Sequence, residues 1–404
     1  MSQTLAIDGG TPTRNTPYPR WPTWDQREVE AVSGVVNSGQ WWSRGGPQVT
    51  TMEGEFAQAH DAKHAIAVCN GSIAIEVALR AAGIDWGDEV ITTPYTFIAT
   101  ANTPLLVGAI PRFTDVLPNT WNMDPAGIEP LITSRTKAIL PVHIGGEPAD
   151  MDAINEVAAR HGLVVIEDAA QAHGARWQGR GVGAIGHMGT FSFQASKNVT
   201  AGEGGIILTN DTDLAEQCWS IHNVGRSRTG GWYEHVMLAS NYRLAEWEAA
   251  IIRVQLGRME EQATVRSARA ATLREALAEI EGLDPVPGDP RVTRNAYHIF
   301  KIWYQPEAFG GRSAEEFARA IQAEGVPIIT TYGESLNRSK VIVERSRYIA
   351  TQLGLPEPPQ ASCPVSEDAC RRGLWLLQNV LLAEEEDILD IARAARKIQR
   401  AWRS

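Results

Sequence analysis

Leu163-Val164-Val165-Ile166-Glu167-Asp168 is an apolar run that ends in two carboxylates, and its upstream flank carries helix punctuation. Met151 to Arg160 has helical spacing, with Asp150 placed to cap it and Gly162 just past its end. An uninterrupted apolar run preceded by a short helix reads as a strand buried on both faces. Working outward, similar short runs occupy residues 64–68, 89–93, 110–116, 137–142, 190–193 and 205–209, with helical stretches such as 72–82 between the earlier ones. Strands alternating with helices predict an α/β domain whose mostly parallel sheet lies between helical layers.

The flanks read differently. The first sixty residues are rich in Pro, Gly and Trp, which predicts an irregular arm with one helix at about residues 25–38. Residues 243–281 read as almost continuous helix, interrupted only by Gly257, of the kind that joins a large domain to a smaller one. A turn-rich seam at 284–290 follows, then a strand at 296–304, helices at 313–324 and 384–401, and little else that is regular. The resulting division is an N-terminal arm at 1–24, a large domain at 25–265 and a small domain at 266–404.

Composition bounds the class. The 404 residues are 43% apolar and 21% charged, and 37 basic against 48 acidic side chains give a net charge of −11. An acidic chain lacks the basic surface that nucleic acid requires. The longest apolar run, 105–110, is far short of the roughly 20 residues that span a bilayer. Met1-Ser2-Gln3-Thr4 has neither the basic start nor the apolar core of a secretory leader. Four scattered cysteines without a CxxC pair argue against a disulfide framework or zinc site and suit a reducing cytoplasm.

Four local features carry chemical promise, all at strand ends, where α/β proteins place their sites. Asn70-Gly71-Ser72 joins a strand to a helix N-terminus, which is either an anion cradle or a plain helix cap. Glu167-Asp168 closes the most apolar strand, as a cap, a metal ligand or a base. Phe191-Ser192-Phe193-Gln194-Ala195-Ser196-Lys197, before Gly202-Glu203-Gly204-Gly205, sets a lysine between an apolar strand and a glycine-rich turn. Desolvation there makes an amine nucleophilic, although a surface lysine is the ordinary reading. Asn241, in Ser240-Asn241-Tyr242-Arg243, is either the cap of the long helix or a binding residue. Taken together, these features match the needs of pyridoxal phosphate: a lysine for its aldehyde, a carboxylate for its pyridine nitrogen, and amides and hydroxyls for its phosphate.

The chain resembles the DegT–DnrJ–StrS family of sugar and cyclitol aminotransferases, from Leu5-Ala6-Ile7-Asp8-Gly9-Gly10 almost to the C-terminus. The motifs that carry the resemblance are Gly87-Asp88-Glu89-Val90-Ile91, Tyr95-Thr96-Phe97-Ile98-Ala99-Thr100, Glu167-Asp168-Ala169-Ala170-Gln171, Lys197 before the glycine turn, and Asn241-Tyr242-Arg243. The resemblance implies the type I fold of pyridoxal phosphate enzymes: a large domain around a mostly parallel seven-stranded sheet, and a smaller α+β C-terminal domain. It implies that Lys197 links covalently to the cofactor and moves protons, and that Asp168 pairs with the pyridine nitrogen. Gln171, one helical turn on, reaches the phenolic oxygen; Phe97 stacks on the ring; Gly71, Ser72 and Ser192 hold the phosphate. Asn241 reaches the phosphate of a neighbouring copy, which implies a homodimer with shared sites.

Lysine at 197 favours amino transfer over the related sugar dehydratases, which carry histidine there. The Ser38-Gly39-Gln40-Trp41-Trp42 stretch and the Phe191-to-Gly205 motif look most like the branch that aminates keto-cyclitols and also holds aminohydroxybenzoate synthase-like proteins. The implied activity is a pyridoxal phosphate-dependent aminotransferase that takes nitrogen from L-glutamine, or L-glutamate, and gives it to a keto-cyclitol or keto-sugar in antibiotic or amino-sugar biosynthesis. The alternatives are a nucleotide-linked keto-sugar acceptor, a dehydratase or lyase, and a catalytically silent cofactor-binding subunit. Trp41, Trp42, Trp232, Tyr233 and His235 are candidates to line a sugar-sized pocket, or to staple the arm to the core. His298 and Tyr332 are candidates on the small domain, His298 equally a structural histidine. After Tyr332 the chain departs from the family pattern, through Gly333-Glu334-Ser335-Leu336-Asn337-Arg338-Ser339-Lys340.

Overall fold

The computed structural model describes residues 4–403; residues 1–3, on which the expectation about a secretory leader mostly rests, lie outside them. Seven strands form the central sheet: β1 (His64–Val68), β2 (Glu89–Thr92), β3 (Ile110–Phe113), β4 (Thr136–Leu140), β5 (Val164–Asp168), β6 (Met188–Ser192) and β7 (Gly205–Thr209). Their order is β1-β7-β6-β5-β4-β2-β3, and β7 alone runs antiparallel to its neighbours. Side chains alternate between two buried faces, as strand geometry requires. Ala67, Val165 and Phe191 pack into one core with α2 (Gln48–Ala59), α5 (Met151–His161) and α7 (Glu246–Leu256). Ile66, Ile166 and Met188 pack into the other with α3 (Gly71–Ala81) and α6 (Thr212–His222).

The described residues among the first sixty hold two α-helices, not one. α1 (Gln26–Ser38) begins at the expected place, with a capping box between Asp25 and Glu28. α2 has no side-chain cap of its own; Glu246, far along the chain, accepts from the Gln48 and Val49 amides at 2.7 and 3.0 Å. That tertiary cap is invisible to local reading.

The long helix expected over 243–281 is two helices, α7 and α8 (Met259–Ala278), broken at Gly257-Arg258. Gly257 keeps ordinary right-handed geometry, at φ −61° and ψ −17°, and the buried Arg258 beside it pairs with Glu28 and Asp25. Asn241 caps neither helix; Ala245 stands at the start of α7.

The C-terminal part is more regular than expected. A four-stranded antiparallel sheet has the order β8 (Leu283–Pro285), β9 (Ile299–Tyr304), β11 (Gly373–Leu377), β10 (Ile329–Thr330). Besides α9 (Ala314–Ala323) and α12 (Glu385–Arg403), α10 (Lys340–Gln352) and α11 (Pro364–Arg372) fill the stretch that looked irregular. Sparse apolar positions at Ile342, Ile349 and Ala350 bury α10, and its charged outer face hides that spacing. This unit has its own core, which includes Leu5 and Tyr18 from the N-terminal arm. Lys301 of β9 ties it to the sheet domain: its Nζ donates to Glu147 Oε2 at 2.8 Å and to the Ile144 carbonyl at 3.3 Å, fully buried.

No helix among the described residues is long and apolar enough to cross a membrane. All four cysteines are unpaired.

Candidate active site

A cavity of about 560 Å³ opens at the carboxyl ends of β1, β5 and β6, the end at which β7 begins. Seven of the expected residues line it: Gly71, Ser72, Phe97, Asp168, Gln171, Ser192 and Lys197.

The phosphate end is a strand, turn and helix start. Asn70 caps α3 by accepting from the Ile73 amide at 2.9 Å, so the first turn directs its N–H groups at the cavity. Gly71 is obligatory. A Cβ there would meet the Ser192 Cβ at 2.6 Å, and this close approach brings the Ser192 hydroxyl beside the helix N-terminus. Two hydroxyls and a helix start make an anion cradle.

Lys197 follows β6. Phe191 and Phe193 anchor the strand in the core, and Ala195 N–H donates to the Gly202 carbonyl at 2.9 Å to close the loop that carries the lysine. The return path needs Gly204 at φ 136°, a conformation that side chains disfavour. Lys197 Nζ has no hydrogen-bond partner among the described residues. Burial lowers its pKa, and the charge of Asp168 opposes that shift.

The two carboxylates of β5 divide their roles. Glu167 is structural: it accepts from the Gly183, Ile185 and Gly186 amides at 2.7, 2.8 and 2.7 Å and lies 2.9 Å from His143 Nε2. Asp168 lines the cavity. Burial raises its pKa, opposed by the Thr100 hydroxyl, the Ala170 amide and Lys197.

Gln171 sits in a tight turn, closed by Ala172 N–H on the Ala169 carbonyl at 2.8 Å, rather than on the expected helix. Its Nε2 donates to the Tyr332 hydroxyl at 3.3 Å, which brings in one residue of the small domain. Phe97, 58% exposed, projects its ring at the rim.

The remaining candidates lie elsewhere. His298 is buried outside the cavity lining, its Nδ1 donating to Asn198 Oδ1 at 3.0 Å. Asn241 is exposed on a segment paired with Asn223. Trp41 and Trp42 are half-exposed, Trp41 edge-on to Trp247. Tyr233 and His235 are exposed on the lobe between residues 226 and 241. Sequence reading missed Thr96, Gln194 and Glu203, which also line the cavity, and Thr100 behind it. Thr96 lies in the turn between β2 and α4 (Ala99–Leu106) and Thr100 on the first turn of that helix, and no local signal marks either.

This donor set can hold pyridoxal phosphate: an unpartnered amine, a buried carboxylate, an amide donor, an aromatic face and an anion cradle converge on one cavity. Fold and site together define a pyridoxal phosphate-dependent aminotransferase of fold type I. Residues 22–394 match the DegT/DnrJ/EryC1/StrS aminotransferase family, and the chain belongs to it. It is 36% identical to the L-glutamine:2-deoxy-scyllo-inosose aminotransferase of Streptomyces paromomycinus over 421 residues, covering 99% of this chain and 98% of that one. It is 37% identical to the 3-amino-5-hydroxybenzoate synthase of Amycolatopsis mediterranei over 377 residues, covering 92% and 94%. The crystal structure of 3-amino-5-hydroxybenzoic acid synthase superposes with a TM-score of 0.86 at 36% identity, covering 96% of this chain and 99% of that one.

Proposed function

We propose that the enzyme moves an amino group from L-glutamine to a keto-cyclitol, as a step in aminocyclitol antibiotic assembly, with L-glutamate as the alternative donor. The observation that carries the amino-transfer chemistry is Lys197 Nζ, unpartnered in a cavity that Asp168 also lines. The donor and acceptor are inferred from the inosose aminotransferase that matches the chain from end to end.

Pyridoxal phosphate, when bound, supplies an aldehyde that carries nitrogen and a ring that takes up the electrons of a broken C–H bond. Lys197 Nζ would hold it covalently, and its free amine would hold and move a proton at the donor's α-carbon. The lowered pKa favours the free amine that both tasks need. Asp168 would keep a proton on the pyridine nitrogen, and Gln171 Nε2 would donate to the phenolic oxygen. Gly71, Ser72 and Ser192 would hold the phosphate, and Phe97 would pack against the ring.

In this reading two copies share their sites. Asn241 lies outside the cavity lining of its own chain and serves the phosphate of a second copy. Trp41, Trp42, Tyr233 and His235 approach the acceptor from that copy, whereas Tyr332 and His298 act beside their own chain's cavity. Four unpaired thiols suit the cytoplasm.

The test is the absorbance of the purified enzyme with pyridoxal phosphate, before and after L-glutamine and then after scyllo-inosose. The visible band of the lysine-linked cofactor is expected to fade with glutamine and return with the inosose. Fading without return moves the acceptor to nucleotide-linked keto-sugars, and a response to glutamate alone moves the donor. Silence to both donors overturns the reading. Lys197→Ala is expected to abolish turnover.

A further inference from the structure

Thr100 is fully buried on the first turn of α4 (Ala99–Leu106), and its hydroxyl donates to Asp168 Oδ2 at 2.7 Å. A second hydroxyl, that of Thr96, lies 2.9 Å from the first. A threonine has one hydroxyl proton, and that of Thr100 points at the carboxylate. The bond between the two threonines therefore runs from Thr96 to Thr100. Donation into the Thr100 oxygen polarises its O–H further, so the pair acts on Asp168 as one strengthened donor. Asp168 Oδ1 accepts from the Ala170 amide at 3.2 Å. The titratable groups facing Asp168 are Lys197, His143 and Tyr332.

We propose that Thr100 is a positioning residue for amino transfer: its hydroxyl fixes the Asp168 carboxylate and keeps it ionised, so that the shared proton stays on the pyridine nitrogen. The proposal rests on the reading that the cavity holds pyridoxal phosphate with Asp168 at the ring nitrogen. A hydrogen bond donated to a carboxylate stabilises its charged form. Without that donor Asp168 is the stronger base, the proton moves onto it, and the neutral ring is a poorer electron sink. Thr100 accomplishes this through Asp168 and needs no contact with substrate. The same turn carries Phe97, so ring cover and carboxylate orientation are set by one short segment.

The experiment uses the full-length enzyme reconstituted with pyridoxal phosphate labelled with ¹⁵N in the ring. The nitrogen chemical shift is followed against pH for the wild type, Thr100→Val and Thr100→Ser, alongside the rate of the glutamine half-reaction. Valine keeps the shape and loses the hydroxyl; serine keeps the hydroxyl and loses the methyl group. The wild type is expected to show a pyridinium resonance. Thr100→Val is expected to move it toward the unprotonated position and to slow the half-reaction about tenfold or more, the equivalent of one pKa unit. Thr100→Ser is expected to restore both.

An unchanged resonance in Thr100→Val overturns the proposal. So does a Thr100→Ser variant as defective as Thr100→Val, because the methyl group would then be the element that matters. If Thr100→Val does not fold, Thr100→Ala against Thr100→Ser makes the same comparison. A wild type that takes up no labelled cofactor overturns the cofactor reading itself, whereas a wild-type pyridinium signal with unaltered variants removes only the role of Thr100.

Discussion

The backbone N–H of Gly145 donates to Gln171 Oε1 at 2.7 Å. That single bond decides which end of the amide the cavity sees. With its oxygen engaged, Gln171 turns Nε2 toward Tyr332 and the cavity, and so offers a donor to whatever oxygen lies there.

Gln171→Glu keeps the size of the side chain and replaces that donor with a carboxylate oxygen near Asp168. The affinity of the apoenzyme for pyridoxal phosphate is expected to fall about tenfold or more, the scale of one hydrogen bond to a charged group. Quenching of tryptophan fluorescence on titration measures it. An unchanged affinity would remove Gln171 from the cofactor site.

Lys301 and Glu147 form a buried ion pair between the two units. Lys301→Met leaves Glu147 without its cation, and about 3–5 kcal/mol of stability is expected to go with it. Adding Glu147→Leu is expected to restore part of that loss. Urea midpoints of the two variants decide the matter, and a double variant no better than the single one contradicts it.

His60 is fully buried, and burial pushes its pKa down from 6.5 to about 4, with the Phe56 carbonyl opposing. Between those values the unfolded chain binds a proton that the native protein does not. Stability supplied by the neutral ring is therefore complete above 6.5 and is lost as the pH falls toward 4, by up to about 1.4 kcal/mol per pH unit. His60→Gln cannot titrate, so its stability deficit relative to the wild type is expected to narrow with falling pH. Denaturant unfolding at several pH values reads the gap; a gap that widens refutes the assignment.

Glu246→Ala removes the remote cap of α2. Two amides lose a charged acceptor, and a cost of about 2 kcal/mol is expected. Equilibrium unfolding measures it, and a variant as stable as the wild type would show that water replaces the cap.

What could be read from the chain, and what could not, follows the range of each interaction. β1 and α5 are written locally: the first in an unbroken apolar run, the second between Asp150 and Gly162, which cap it as expected. The seven cavity residues were named by the family resemblance, whose motifs lie at strand ends, where an α/β fold places its site. α2 escaped because its cap is Glu246, whereas Gly257, the one interruption visible in the 243–281 run, is where the helix breaks. Thr100 looked like any helical threonine; only the three-dimensional turn after β2 brings it to Asp168. The difference between Glu167 and Asp168 was legible only through the family resemblance, since adjacent residues on a strand face opposite sides and only the packing says which side holds the cavity.

The hydroxyl of Tyr18 donates to the carbonyl of Asp387, 369 residues further along the chain, inside the core of the smaller unit. A ribosome makes the first partner long before the second. The main sheet and the helices on both its faces have all been made once Leu256 has emerged, so that domain is free to fold while Tyr18 and Leu5 still lack their neighbours. Until the chain reaches Asp387 the arm is therefore a greasy thread awaiting its socket, and α12, made long after the arm, closes over these residues of the core.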